Sequence, residues 1–235
     1  MKKGLFVLSL CAVLASCAHK APVADYRVVP LPQEISLMDD EAFVLTGNTS
    51  IVCKSDDDAM KSNARLLAEY VEEKTGLKLA VADEAAENAI VLSLGDVEDN
   101  AEAYKLSVGL DGVAITGASP AGVFYGIQTL RKALPVVQGG VVELPAVEIT
   151  DSPRFGYRGA HLDVSRHFFT VDSVKRFIDM LALHNMNRFH WHLTDDQGWR
   201  FEMKKYPKLN IVGTQRAQTV IGRNSGKYDG IPYGP

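Results

Sequence analysis

Polar and apolar positions alternate from Arg188 onward: Arg188, His190, His192 and Thr194 fall on one side, Phe189, Trp191 and Leu193 on the other. That is the period of a β-strand. The stretch Asn187 to Arg200, NRFHWHLTDDQGWR, joins this strand to a Gly-containing loop and holds two His, two adjacent Asp, two Trp and two Arg. A strand with an apolar face under helices and a polar face toward an enclosed space meets the requirement for an active-site strand of an α/β barrel. Asp195 and Asp196 would then stand at its carboxyl end, where such barrels keep their chemistry. The other reading is an edge strand with a solvated polar face, against which the flanking Trp191 and Trp199 weigh.

The same patterning divides the chain upstream. Phe43 to Leu45 and Ser50 to Lys54 read as short strands joined around Gly47-Asn48. Asp57 to Lys74 reads as a helix with Met60, Ala64, Leu67 and Val71 on one face, acids at its start and Gly76 after it. Leu77 to Val81, Ala89 to Leu94, Tyr104 to Val108 and Val113 to Thr116 read as strands, the last two turned by Leu110-Asp111-Gly112. A second helix has Ser119 as N-cap and Pro120 at its first position; Val123, Ile127, Leu130 and Leu134 line one face until Pro135. These elements predict an α+β domain over residues 25–150, closed by about Pro153.

Asp151-Ser152-Pro153 reads as a linker. Beyond it Arg158 to Ser165 is a strand, and a helix capped by Thr170 or Asp172 runs to about His184 with Val174, Phe177, Ile178 and Leu181 on one face. Asn185 suits the left-handed position that ends it. Strand, helix and strand with short joints make a βαβ unit, so the two strands are expected to be parallel. From Arg200 to Pro235 the pattern shows no clear helix.

Composition narrows the function. The 235 residues are 46% hydrophobic and 23% charged, an ordinary globular balance. A net charge of -4 without a basic cluster excludes a phosphate-reading surface, so no nucleic-acid partner is expected. The basic Met1-Lys2-Lys3, the apolar Leu5 to Leu14 and the following Leu14-Ala15-Ser16-Cys17 are similar to a bacterial lipoprotein signal over residues 1–17, too short to span a bilayer. Cleavage would precede Cys17, whose lipid would anchor the protein at the membrane of the cell envelope; an ordinary secretory signal cut nearby is the alternative. Cys53 then remains alone, so no disulfide framework is expected, and its place after Ile51 and Val52 reads as packing rather than a nucleophile.

Three segments together carry a family resemblance: ASPAGVFYGIQTLRKAL (Ala118 to Leu134), DSPRFGYRGAHLDVSRHFF (Asp151 to Phe169) and FHWHLTDDQGWR (Phe189 to Arg200). They resemble glycoside hydrolase family 20, the exo-acting β-N-acetylhexosaminidases, from about Asp25 to Gly213. The family places a small α+β domain before a (β/α)8 TIM barrel, so residues 154–235 would be the start of that barrel, truncated after two of eight strands. A barrel needs roughly 250 residues.

The resemblance implies removal of terminal β-linked N-acetylglucosamine or N-acetylgalactosamine from glycans with retention, the substrate's own 2-acetamido oxygen acting as nucleophile. An Asp orients the acetamido group and the adjacent Glu protonates the leaving oxygen. Here Asp-Glu neighbours occur only at Asp40-Glu41 and Asp83-Glu84, which read as solvated surface, so the chain is expected to be the front part of a longer enzyme. The family's sugar-gripping Arg is assigned to Arg158, whose planar guanidinium would meet vicinal hydroxyls. Yet Arg158 begins its strand and has opposite parity to His161 and Asp163. Asp195 is assigned to a proton-positioning network with His192, and Asp196 is a secondary member of the same motif. Asp163, Arg166 and His167 read as a charged network at the strand end, His190 as barrel packing, and Trp199 as either a sugar wall or core. No cofactor and no metal are implied.

Two other readings stand beside this one. His190-x-His192 with Asp195 and Asp196 suits a metal-dependent barrel hydrolase. A non-catalytic, glycan-binding surface lipoprotein is the other.

Overall fold

The computed structural model describes residues 21–82, 84 and 87–216. In chain order its elements begin with β1 (Glu34–Leu37), β2 (Phe43–Leu45), β3 (Ser50–Cys53), α1 (Asp58–Thr75), β4 (Ala80–Ala82) and β5 (Ala89–Leu94). Then come β6 (Tyr104–Gly109), β7 (Gly112–Gly117), α2 (Pro120–Ala133), β8 (Val142–Leu144) and β9 (Val147–Asp151). Seven of these strands form one mixed sheet in the order β1-β9-β6-β7-β5-β3-β4, and β2 pairs with β8 beside it.

Helix ends follow from side chains at their caps. Asp57 accepts from the backbone N–H groups of Ala59 (2.8 Å) and Met60 (3.0 Å), and Gly76 leaves α1 at φ +71°, which only glycine adopts without strain. Met60, Ala64, Leu67 and Val71 are wholly buried along α1, as their spacing requires. Ser119 caps α2 through the Ala121 N–H at 3.1 Å. A Cβ on Gly122 would lie 2.2 Å from the Ala103 carbonyl oxygen, and one on Gly126 would lie 2.6 Å from Ile115 Cγ2. Those two glycines let α2 rest directly on the sheet. On β6, Tyr104, Leu106 and Val108 are buried while Lys105 is exposed, so the helices cover one face.

Several sequence expectations need correction here. The strand read as Ser50 to Lys54 ends at Cys53; β2 pairs with β8, and β3 lies between β5 and β4. The strand expected at Leu77 to Val81 is shorter and shifted to Ala80–Ala82. β1, β8 and β9 were not anticipated. They are three to five residues long, and Pro145 separates the last two. The Asp83-Glu84 pair falls partly outside the described residues, as do Cys17 and the rest of the expected signal.

The second part of the chain comprises β10 (Gly159–Asp163), α3 (Val171–Leu183), β11 (Arg188–His192), β12 (Thr194–Asp195), β13 (Gly198–Trp199) and α4 (Pro207–Val212). β10 and β11 are parallel, with His161 opposite His190 and Asp163 opposite His192. The Thr170 side chain caps α3 through the Ser173 N–H at 3.2 Å, and Asn185 takes φ +56°, the left-handed exit its sequence position suggested. Phe177 of α3 meets Phe189 at 5.5 Å between ring centroids, and Phe189 stacks on Trp191 at 5.8 Å. The alternation along β11 is therefore real: one face meets the helix and the other carries the imidazoles. The short α4 corrects the expectation of no helix after Arg200; its single turn starts at Pro207 and is too brief to show a period.

Candidate functional site

At the carboxyl ends of β10 and β11 the chain turns sharply. The Asp163 carboxylate accepts from the backbone N–H groups of Ser165 (2.9 Å) and Arg166 (3.1 Å), a turn that folds Arg166 back over the strand end. Arg166 then donates through Nη1 to Asp163 (2.7 Å) and through Nη2 to Asp195 (2.8 Å). His192 Nε2 lies 2.9 Å from the same Asp195 oxygen and 3.0 Å from Arg166 Nη1. A guanidinium cannot accept a hydrogen bond, and its Nη1 already serves Asp163. The consistent arrangement has the His192 Nε2–H donating to Asp195.

Asp195 reaches this position on the β12–β13 turn. Ser165 donates to the Gly198 carbonyl at 2.7 Å, and a Cβ on Gly198 would stand 2.8 Å from the Ser165 carbonyl oxygen. The glycine of the Asp-Asp-Gln-Gly stretch thus permits the turn to press against the end of β10. The Asp196 N–H donates to Asp195 at 2.8 Å; this bond, with those from His192 and Arg166, holds the Asp195 carboxyl below its usual pKa. For Asp163, partial desolvation pushes the pKa up, but the backbone bonds from Arg166 and Ser165 and the guanidinium outweigh it, and the net shift is downward. The cluster therefore consists of two carboxylates that stay ionised, one guanidinium and one imidazole, open to solvent on one side.

The remaining candidates fall elsewhere. Asp196 and His167 are exposed, and His167 stands outside the network expected for it. The Trp199 indole N–H donates to the Phe201 carbonyl at 2.7 Å, and the ring lines a groove with Phe168, Arg200 and Asn210. Asp40 and Glu41 are exposed in the first domain. His161, His190 and His192 come together, with one ring nitrogen of each within 4.8 Å of the others; among the described residues this is the group able to hold a metal ion. The His190 ring lies 4.5 Å from that of His161 across the two strands.

Arg158 requires a correction. It precedes β10, at the end opposite Asp195, about 16 Å away along a five-residue strand. Its guanidinium is fully engaged: Nε donates to the Asn185 carbonyl (2.6 Å), Nη1 to Glu102 (2.8 Å) and the Phe155 carbonyl (2.7 Å), and Nη2 to Tyr125 Oη (2.9 Å). Glu102 also accepts from Asn187 at 3.1 Å. This is a tie between the seven-stranded domain and the βαβ unit, not a sugar-facing arginine. The parity of Arg158 against His161 and Asp163 was the signal for it. The guanidinium that pairs with both Asp163 and Asp195 at the carboxyl end is Arg166, within a turn that strand periodicity cannot follow.

A parallel βαβ unit behind a mixed-sheet α+β domain, with an ion-paired cluster at the strands' carboxyl ends, is an arrangement of the α/β class. Residues 25–152 match the model for glycosyl hydrolase family 20, domain 2, and residues 155–230 match that for the family 20 catalytic domain. The chain belongs to glycosyl hydrolase family 20. It is 37% identical over 246 residues to a β-hexosaminidase of Porphyromonas gingivalis, covering 97% of this chain and 31% of the relative. A β-N-acetylhexosaminidase of Cellulomonas fimi is 34% identical, covering 87% of this chain and 41% of the relative. Among solved structures, the Streptomyces plicatus N-acetyl-β-hexosaminidase bound to Thio-NAglucal superposes with a TM-score of 0.73 at 35% identity, covering 84% of this chain and 40% of that one. The chain thus spans between about a third and two fifths of the length of these relatives.

Proposed function

We propose that this chain forms the front part of an exo-acting β-N-acetylhexosaminidase that releases terminal N-acetylglucosamine or N-acetylgalactosamine with retention, the 2-acetamido group of the substrate serving as nucleophile. The βαβ unit is then the first two strands of a TIM barrel. The observation that carries the reading is the Arg166, His192 and Asp195 cluster at the carboxyl ends of parallel strands, where a barrel presents its chemistry. Relatives named β-hexosaminidases support the substrate class.

In this reading Arg166 takes the role expected of Arg158. Its fork binds vicinal hydroxyls of the non-reducing sugar while Asp163 and Asp195 hold it in place. Asp195 fixes the tautomer and orientation of His192 and tunes proton positions near the general acid. The acid itself and the residue that orients the acetamido group belong to the whole enzyme, whose activity is what is proposed here.

Anchoring through a lipid on Cys17, and location in the bacterial cell envelope, are part of the same proposal; they rest on Leu14-Ala15-Ser16-Cys17. Among the described residues no helix is long and apolar enough to cross a membrane.

Hydrolysis of a chromogenic N-acetyl-β-glucosaminide compared with the matching β-glucoside by the full-length enzyme tests the reading. The N-acetyl compound should be cleaved and the plain glucoside should stay near background. Equal cleavage would show that the acetamido group is not the nucleophile.

A further inference from the structure

His161 and His190 are direct partners on neighbouring parallel strands, and His192 follows two residues along the same face of β11. Their ring centroids lie 4.5 Å apart for His161 and His190, 5.6 Å for His161 and His192, and 6.3 Å for His190 and His192. We propose that these three imidazoles bind one divalent transition-metal cation of the zinc, cobalt or nickel kind. The site lies on the strand faces beside the Asp195 cluster and shares His192 with it.

Geometry and ligand chemistry carry the proposal together. Nitrogen donors sit about 2.0–2.1 Å from such a cation, so three of them around one ion are about 3.4 Å apart. The ligand nitrogens here already lie within 4.8 Å of one another. An imidazole-only set favours these borderline cations over magnesium or calcium, which take oxygen ligands. With its Nε2–H donated to Asp195, the His192 ring is held in the tautomer whose lone pair is on Nδ1. Asp195 then stands behind a ligating imidazole, the arrangement that fixes metal-bound histidines. Three protein ligands leave a coordination position open.

The test is titration of the full-length enzyme with Co2+ and with Zn2+, followed by visible absorption and calorimetry. One cation per chain should bind, with an absorption spectrum of nitrogen and oxygen ligation. His161→Gln and His190→Gln should each weaken binding roughly tenfold or more, and Asp195→Asn by about 10–100-fold. His167→Ala and His184→Ala should bind as the parent does. Broadening of the His161, His190 and His192 ring proton signals by Co2+ in the unsubstituted chain provides a check that does not depend on any variant folding. No binding, thiolate charge-transfer bands, broadening of other histidines, or parent affinity in the His161→Gln, His190→Gln double variant would each overturn the proposal.

Discussion

Arg158 and Glu102 should couple in stability because one belongs to the βαβ unit and the other to the seven-stranded domain. Their side chains retain 14% and 22% exposure, between a surface pair, about 0–1 kcal/mol, and a buried one, whose disruption costs about 3–5 kcal/mol. Glu102→Gln keeps the shape and one acceptor and removes the charge. Arg158→Met removes four donated bonds yet keeps much of the stem. A double-mutant cycle by urea unfolding at pH 7 should give a coupling of about 1–3 kcal/mol. The sign with pH follows from the Glu102 carboxyl. Desolvation raises its pKa, but hydrogen bonds from Arg158, Asn187 and Tyr125 more than offset this, and the folded value lies below the usual one. The contribution is therefore present above the unfolded pKa, near 4.3, and fades as pH falls through the lower folded value. A cycle that closes to within about 0.3 kcal/mol of zero at pH 7 would refute the tie.

Three further outcomes are expected. Gly122→Ala should gain about 1 kcal/mol of helix propensity but push a methyl to 2.2 Å from the Ala103 carbonyl oxygen; a net loss of about 1–3 kcal/mol in thermal or urea unfolding checks the close approach of α2. Asp195→Asn in the full-length enzyme should lower kcat by roughly 10²–10⁴-fold and alter the pH profile while moving KM less, as steady-state rates across pH would show. Cys17→Ala should shift the protein from the membrane to the soluble fraction on cell fractionation, because the proposed acyl chains hang from that residue; retention on membranes would end the lipid-anchor proposal.

The elements most legible in the sequence were those whose period and caps agreed. α1 and α2 begin at Asp57 and Ser119 as read, and Asn185 leaves α3 left-handed, because capping and φ preferences are local. The parallel pairing of β10 and β11 followed from strand, helix and strand in order. β1, β8 and β9 were not legible, since their pairing is decided by partners more than 30 residues away in every case. The site was half legible. The Asp195 and His192 contact could be read from their motif, whereas the fold-back of Arg166 depends on the Asp163 turn, which reverses the direction of the chain where strand parity stops applying. Parity did speak against Arg158, and the tie to Glu102 shows why: that residue faces another domain.

Arg166→Lys and Arg158→Lys, compared side by side in the full-length enzyme on a chromogenic N-acetyl-β-glucosaminide, test the placement of the site most directly. Both keep the charge and lose the planar fork. Arg166→Lys should raise KM and lower kcat/KM by roughly 30–1000-fold, equivalent to about 2–4 kcal/mol, with the fold stability little changed. Arg158→Lys should lower stability and leave KM near the parent value. A rise in KM confined to Arg158→Lys would contradict this account and return the sugar to the other end of the strand.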